Sequence, residues 1–400
     1  MALNVSVEEL KKIRTPFYFY DMDLLDRTLR TVKTLSDRYG ISVHYAVKAN
    51  NDSRILRKIS EYGFGADCVS GNEVLLCAEN GFCGEKIMFA GVGKTDKEIY
   101  DALKTGIYAF NVESVEELKN IDAMAAHLGV RARIQLRINP NVDAHTHRYI
   151  TTGLDENKFG ITKEGFKGAV EAVKNCSNVD FLGIQFHIGS QITDVENIYV
   201  QACRKMNEIV AEIEALGLEV RSIDLGGGLG INYEDPDAEL IPDFATWMKT
   251  VAENLKVRSN QVVHIEPGRS IVGQCGSLIA RVLYVKNGQK KNFAIVDAGM
   301  NDLIRPALYQ AYHKTENLCA EAEGRGAGKY DVVGPVCESS DVFGTDREIG
   351  LTERGDLIAI RSAGAYGSVM ASMYNAKQFA QSVYSDDLAS AEKQIDWFTR

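Results

Sequence analysis

From about Asp21 to Pro267, two kinds of segment alternate along the chain. Short runs rich in β-branched and aromatic residues predict strands. Longer runs, with apolar positions every three or four residues, predict helices. The strand runs are Val43–Val47, Gly65–Cys68, Lys86–Ala90, Ile107–Asn111, Ala132–Ile138, Leu182–His187, Ser222–Leu225 and Val262–Glu266. Among the helical runs, Asp52–Tyr62 opens on an Asp/Ser capping signal. Ser70–Asn80 and Ser114–Leu128 stop before Gly81 and Gly129. In Asp194–Leu216 the apolar stripe is Ile198, Ala202, Met206, Ile209, Ile213 and Leu216. Eight strands separated by helices predict a (β/α)8 barrel of the TIM type, with an open doubly wound sheet as the alternative.

After Pro267 the rhythm changes. Leu278–Val285, Phe293–Val296, Tyr330–Val333 and Leu357–Ile360 are strand-like, with few helical patterns between them. This predicts a mostly β domain, and the strand-like Phe17–Tyr20 is expected to add to it. The expected division is therefore an α/β barrel over 21–267 and a β domain, a sandwich or barrel, built from 1–20 plus 268–400. The polar, irregular segment Asn139–Phe159 reads as a surface loop. There is no internal repeat.

Composition narrows the function classes. The formal net charge is -10, and no Lys/Arg-rich run occurs, which argues against nucleic-acid or anionic-membrane partners. No stretch has the apolar length of a membrane span, and Met1–Val5 lacks the character of a signal peptide, so a cytoplasmic protein is expected. The eight cysteines form no Cys-x-x-Cys pair and read as small buried hydrophobes, with Cys337 a possible exception.

In a barrel, catalysis is built at the C-terminal ends of the strands. Here those ends carry Lys48, Asp67, Arg137, His187, Gly226-Gly227-Gly228 and Glu266-Pro267-Gly268-Arg269. A lysine emerging from a buried strand can become a nucleophile toward carbonyls. Taken alone, Lys48 reads first as a strand-end lysine reaching solvent. The glycine run allows backbone N–H groups to approach a phosphate, or it is a flexible turn.

Two look-alikes fail. The glycine run does not meet G-x-G-x-x-G, because Ile231 or Tyr233 occupies the last position. Gly91-Val92-Gly93-Lys94-Thr95 resembles the end of a P-loop, but Met88 stands where its first glycine belongs. The pair His145 and His147 lies in the polar loop with no further ligand nearby, so no metal is expected.

A carbonyl-reactive lysine, a phosphate cradle and a carboxylate on one barrel face suit pyridoxal 5'-phosphate (PLP). Its aldehyde bonds to lysine, and its ring nitrogen needs an acidic partner, for which Glu266 is the candidate. His187 is placed to lie against the ring or is a core histidine.

At this point the chain resembles the alanine-racemase-type barrel decarboxylases that use PLP, and within them the branch acting on meso-2,6-diaminopimelate. The resemblance runs through Thr15–Asp21, Tyr45–Asn50, Gly65–Asp67, Val69–Gly71, Lys158–Gly160, His187–Gln191, the glycine run and Glu266–Arg269. It continues through Ile304–Tyr309, Gly334–Asp341 and Gly364–Tyr366.

The resemblance implies that Lys48 forms the Schiff base, His187 stacks on the ring and Glu266 pairs with its nitrogen. Ser190, Gly227, Gly228, Gly268, Arg269 and Tyr366 would surround the phosphate. Asp67, Arg137 and Gly226 complete the implied cofactor-binding set. Arg269, Arg305 and Tyr309, with Tyr366, would hold the distal end of the substrate, and Glu338 its amine. Cys337 would be the proton donor, reaching the active site of the partner subunit in an obligate homodimer. The implied reaction yields L-lysine and CO2. Alternatives are an ornithine- or arginine-type decarboxylase of the same fold, or a non-catalytic PLP-binding protein.

Overall fold

The eight expected barrel strands form one closed, all-parallel sheet in a computed structural model that describes residues 5–140 and 158–395. They are β2 (Ile41–Ala46), β3 (Gly65–Cys68), β4 (Ile87–Phe89), β5 (Ala109–Val112), β6 (Ala132–Arg137), β7 (Val179–Gln185), β8 (Ser222–Asp224) and β9 (Val262–Ile265). They follow in chain order, and β9 closes onto β2 with Ile41 opposite Val263. The helices between them start and stop where their capping chemistry dictates. Ser70 and Ser114 accept the Glu73 and Glu117 N–H groups of the helices they open, at 3.2 and 3.1 Å. Gly129 closes the second of these helices with φ +66°.

The barrel interior is polar at several levels. Next to the start of the strands, His44 Nδ1 lies 3.1 Å from the Lys86 carbonyl, and His44 Nε2 lies 3.0 Å from His264 Nδ1. Since a carbonyl only accepts, His44 donates from Nδ1 and accepts from His264 at Nε2. Both imidazoles are thereby neutral. Burial lowers His44 to about 4 and holds His264 well below its ordinary value.

Among the described residues the chain divides into two compact units. The barrel unit comprises 29–230 and 243–268. The other takes 5–28, 231–242 and 269–395, so the short segment 231–242, which leaves the barrel sequence between β8 and β9, belongs with the second unit.

That second unit is built on an eight-stranded mixed sheet, ordered β12-β15-β10-β11-β13-β14, with β1 pairing β10 and β16. Its strands are β1 (Phe17–Tyr20), β10 (Gly276–Asn287), β11 (Asn292–Val296), β12 (Thr315–Asn317), β13 (Ala327–Val333), β14 (Val342–Gly350), β15 (Leu357–Ile360) and β16 (Gln381–Tyr384). The N-terminal strand thus joins the C-terminal sheet, antiparallel to β10 and parallel to β16. Alternation fixes its two faces: Phe17 and Phe19 pack with Leu10, Ile13, Ile279 and Leu357, while the Tyr18 hydroxyl donates to the Asp302 carbonyl.

Five cysteines are buried, Cys176 is half-buried, and Cys83 joins Cys337 as exposed, so the burial expected of the scattered cysteines fails at Cys83. Most of the expected loop 139–159, including His145 and His147, lies outside the described residues, as does most of Met1–Val5. No helix of the described residues is long and apolar enough to cross a membrane.

Candidate active site

The parallel strands of the barrel deliver their last residues to one end. Lys48 sits in the turn Val47–Ala49 directly after β2. Its Nζ is 3.3 Å from Asp67 Oδ2 on β3, and the lysine side chain is 37% exposed while Asp67 is buried. The other Asp67 oxygen has no hydrogen-bond partner among the described residues. A buried carboxylate therefore holds a reachable amine at the barrel mouth.

Glu266 follows β9 and is buried. Gln185, the last residue of β7, donates its Nε2 toward both Glu266 oxygens, at 3.3 and 3.2 Å. Burial pushes the Glu266 carboxyl well above its ordinary range, and the charges of Asp224 and Asp67 add to the effect. Burial also raises Asp224 to about 7. Three buried carboxyl groups thus share one end of the barrel with Lys48. The cluster is short of positive charge, and a protonated ring nitrogen would supply it.

Arg137, at the end of β6, relieves this shortage only in part, through its charge on Asp224. It is committed to Glu113 at 2.7 Å, with Phe159 packed 4.8 Å beneath the guanidinium. Glu113 also accepts from the Gly160 N–H at 2.8 Å, so it ties the end of β5 to the chain beyond β6. Lys94, of the failed P-loop pattern, is buried against Glu117 at 2.7 Å.

His187 lies two residues beyond β7. Desolvation first, then the positive charges of Lys48 and Arg137, hold its imidazole well below the usual range. Its Nδ1 accepts from the Gly227 N–H at 3.3 Å, so the ring is neutral with its proton on Nε2.

The glycine run needs glycine for steric reasons. Gly228 has φ +120°, and a Cβ on Gly227 would fall 2.1 Å from the Glu266 carbonyl oxygen. Tyr199 steadies the turn by donating to the Gly227 carbonyl at 2.8 Å. The Gly226 N–H is taken by Asp224 at 2.9 Å and that of Gly227 by His187. The Gly228 N–H has no such acceptor among the described residues. Ser190 and Gly268 stand on the neighbouring loops, and a Cβ on Gly268 would crowd Ala46 and Ala49, at 3.0 and 3.1 Å from their Cβ atoms. This is a cradle without side chains, suited to an anion such as phosphate.

The second unit carries a different cluster. Arg269 and Arg305 are both buried, and each donates from Nη1 to the hydroxyl of Tyr233, Arg305 at 3.0 Å. The Tyr366 ring packs 4.8 Å from the Arg269 guanidinium. Tyr309 ends the one-turn helix that Arg305 begins. Among the described residues Arg305 has no carboxylate partner. Behind Tyr233, His313 meets the ring edge-on at 5.1 Å, and burial lowers that imidazole to about 3. Cys337 and Glu338 are exposed on the turn between β13 and β14. Glu338 accepts from Tyr374, and from Ser340 Oγ at 3.2 Å.

The barrel end therefore collects Lys48, Asp67, Arg137, His187, Ser190, Gly226, Gly227, Gly228, Glu266 and Gly268. The second unit collects Arg269, Arg305, Tyr309 and Tyr366, and separately Cys337 and Glu338. Sequence reasoning missed Gln185, Asp224, Glu113, Tyr199 and Tyr233. Asp224 stood in view directly before Leu225 and the glycines, and only its burial shows its part. The others carried no signal, because each acts by touching a residue distant in sequence.

The sequence profile described as pyridoxal-dependent decarboxylase, pyridoxal binding domain, matches residues 23–273. The chain is 50% identical over 383 residues to the diaminopimelate decarboxylase of Bacteroides thetaiotaomicron, covering 96% of this chain and 98% of that protein. The crystal structure of diaminopimelate decarboxylase from Helicobacter pylori complexed with L-lysine is similar with a TM-score of 0.88 and 39% identity, over 97% of this chain and 96% of that one. The arginine decarboxylase of Paramecium bursaria Chlorella virus has a TM-score of 0.81 at 21% identity over 93% of this chain and 96% of that one, a likeness of fold.

Proposed function

The chain belongs to the pyridoxal-dependent decarboxylases and, within them, to the diaminopimelate decarboxylases, and from that membership we propose how its residues divide the work. It is a PLP-dependent carboxy-lyase that converts meso-2,6-diaminopimelate to L-lysine and CO2, the last step of lysine biosynthesis. When bound, PLP supplies an electron-accepting ring that stabilises the charge left on the α-carbon as CO2 departs.

Lys48 Nζ carries the cofactor, and Asp67 holds that amine in place. Glu266, steadied by Gln185, keeps a negative charge opposite the ring nitrogen. Neutral His187 would lie against the ring without adding a competing charge. Gly226 and Gly227 shape the turn. The Gly228 N–H, Ser190 and Gly268 would take the phosphate, a role that the family resemblance also gives to Arg269 and Tyr366. Arg137, fixed by Glu113, orders the loops around the cofactor.

The substrate has an amino-acid group at each end. The distal carboxylate goes to Arg269 and Arg305, with Tyr309 and Tyr366 beside them, because guanidinium forks match carboxylates. Glu338 takes the distal ammonium. Cys337 delivers a proton to the α-carbon. Cys337 and Glu338 act in the site of a partner subunit, so the working form is a homodimer, and their exposure in a single chain fits that role. Eight unpaired cysteines fit a cytoplasmic enzyme.

The observation that carries this reading is the buried acid cluster facing Lys48, an arrangement that needs a cationic ring nitrogen. Ornithine and arginine lack a distal carboxylate, and the unsatisfied Arg305 favours a substrate that has one. A CO2-release assay with PLP and a panel of diaminopimelate, ornithine and arginine tests it. Turnover of diaminopimelate alone is expected. Turnover of ornithine or arginine instead would transfer the chain to the other branch, and no turnover of any would leave a PLP-binding protein.

A further inference from the structure

The two buried guanidiniums of the second unit converge on one oxygen, that of Tyr233. Arginine only donates, so the phenol oxygen spends its acceptor capacity on Arg269 and Arg305. Its own O–H must then point to a third group. The ring is held from behind by the edge of His313, whose imidazole is neutral and whose Nδ1 lies 2.8 Å from the Arg361 carbonyl. Tyr233 is therefore fixed, carries one hydroxyl hydrogen, and sits between two cations spaced by its oxygen. The Arg305 and Arg269 guanidiniums also pack against its ring, at 5.1 and 5.8 Å.

We infer that Tyr233 is a specificity-determining residue of the distal-carboxylate site: it spaces Arg269 and Arg305 and donates its hydroxyl hydrogen to the carboxylate they bind. This rests on the placement of the substrate's distal end proposed above. Three donors of differing direction then surround one carboxylate. A substrate lacking that carboxylate would leave the Tyr233 hydroxyl hydrogen without its acceptor and the Arg305 guanidinium without an anion, which makes rejection stronger than the loss of one contact.

The test is Tyr233→Phe in the PLP-loaded enzyme, with Arg305→Ala as reference. The phenylalanine keeps the ring that meets His313, so folding is retained, and the thermal transition checks this. Calorimetric titration with L-lysine, which retains the distal carboxylate, gives the affinity directly. Tyr233→Phe is expected to weaken L-lysine binding and raise KM for diaminopimelate roughly tenfold, as for a hydrogen bond to a charged group, while kcat changes less than about threefold. Arg305→Ala is expected to weaken both at least as much. If Arg305→Ala weakens L-lysine binding and Tyr233→Phe does not, the role given to Tyr233 is wrong and the substrate placement stands. If neither variant affects binding, the placement itself fails. A fall in kcat and thermal stability without a change in L-lysine affinity would reduce Tyr233 to a structural part.

Discussion

In each unit one cluster gathers buried like charges, and the two clusters resolve this differently. The barrel end gathers Asp67, Asp224 and Glu266, and burial pushes Glu266 and Asp224 upward. Carboxyl groups have this escape: they take up a proton until a cation arrives. The second unit gathers Arg269 and Arg305, and arginine has no such escape near neutral pH. Burial lowers Arg305, but from a value so high that the cation persists. The pair shares a phenol oxygen instead. An acid cluster of this kind adapts its protonation to its ligand, whereas an arginine pair demands an anion. For a substrate with a reacting end and a distal carboxylate, the first suits the cofactor and the second suits recognition.

The comparison breaks most completely at Lys48. Lys48→Ala is expected to abolish turnover and the cofactor's covalent absorbance, including its trapping by borohydride. An unchanged spectrum would remove the lysine from the chemistry. Glu266→Gln comes next. The amide keeps the shape and an acceptor for Gln185 but cannot carry charge. Removing one member of a buried ion pair costs about 3–5 kcal/mol, so turnover should fall by roughly 10^2–10^4-fold. Full activity would mean that the acid cluster does not serve the ring nitrogen.

A third measurement separates the acids from the histidines of the same barrel. His44 is held at about 4 by burial, below the ordinary value of 6.5. The unfolded chain therefore binds a proton between these values that the folded chain refuses. This contribution is fully present above pH 6.5 and is lost as pH falls toward 4. The raised acids act in the opposite sense, with stability falling as pH rises. His44→Gln should remove up to about 3 kcal/mol of the acid-side loss. Urea unfolding of the cofactor-free protein at pH 5 and 7.5 checks it. An identical pH dependence in the variant would show that the His44–His264 pair is not what resists protonation.

Much of this was legible in the sequence, for identifiable reasons. A buried parallel strand is a continuous apolar run, so all eight barrel strands were readable, and Gly65–Cys68 to the residue. The strand-end rule then named residues that the barrel does bring to one end. In the second unit, β12 (Thr-Glu-Asn) was unreadable because its polar residues are buried by partners far away: Asn317 reaches Asp356 at 2.9 Å and Glu316 pairs with Arg361 at 2.7 Å. Strand β14 mixes Asp, Arg and Glu into a segment with an irregular burial pattern. Tyr233 was hidden for the same reason as Gln185. Its meaning is a meeting with Arg305, 72 residues away, which no local pattern encodes.

The smallest expected effect sharpens the second half of the comparison. If Arg305 contributes only charge, Arg305→Lys should bind diaminopimelate as well as the parent does. If its fork matters, the lysine keeps the cation but offers a point charge, and it cannot reach Tyr233 and a carboxylate with paired, planar donors. One charge-assisted hydrogen bond would be lost, about 1.5 kcal/mol, or roughly a tenfold rise in KM. kcat should hold, because the proposed contact is with the end of the substrate that does not react. A tenfold fall in kcat at unchanged KM would place Arg305 at the reacting centre instead, and the division between an adapting acid cluster and a demanding arginine pair would have to be redrawn.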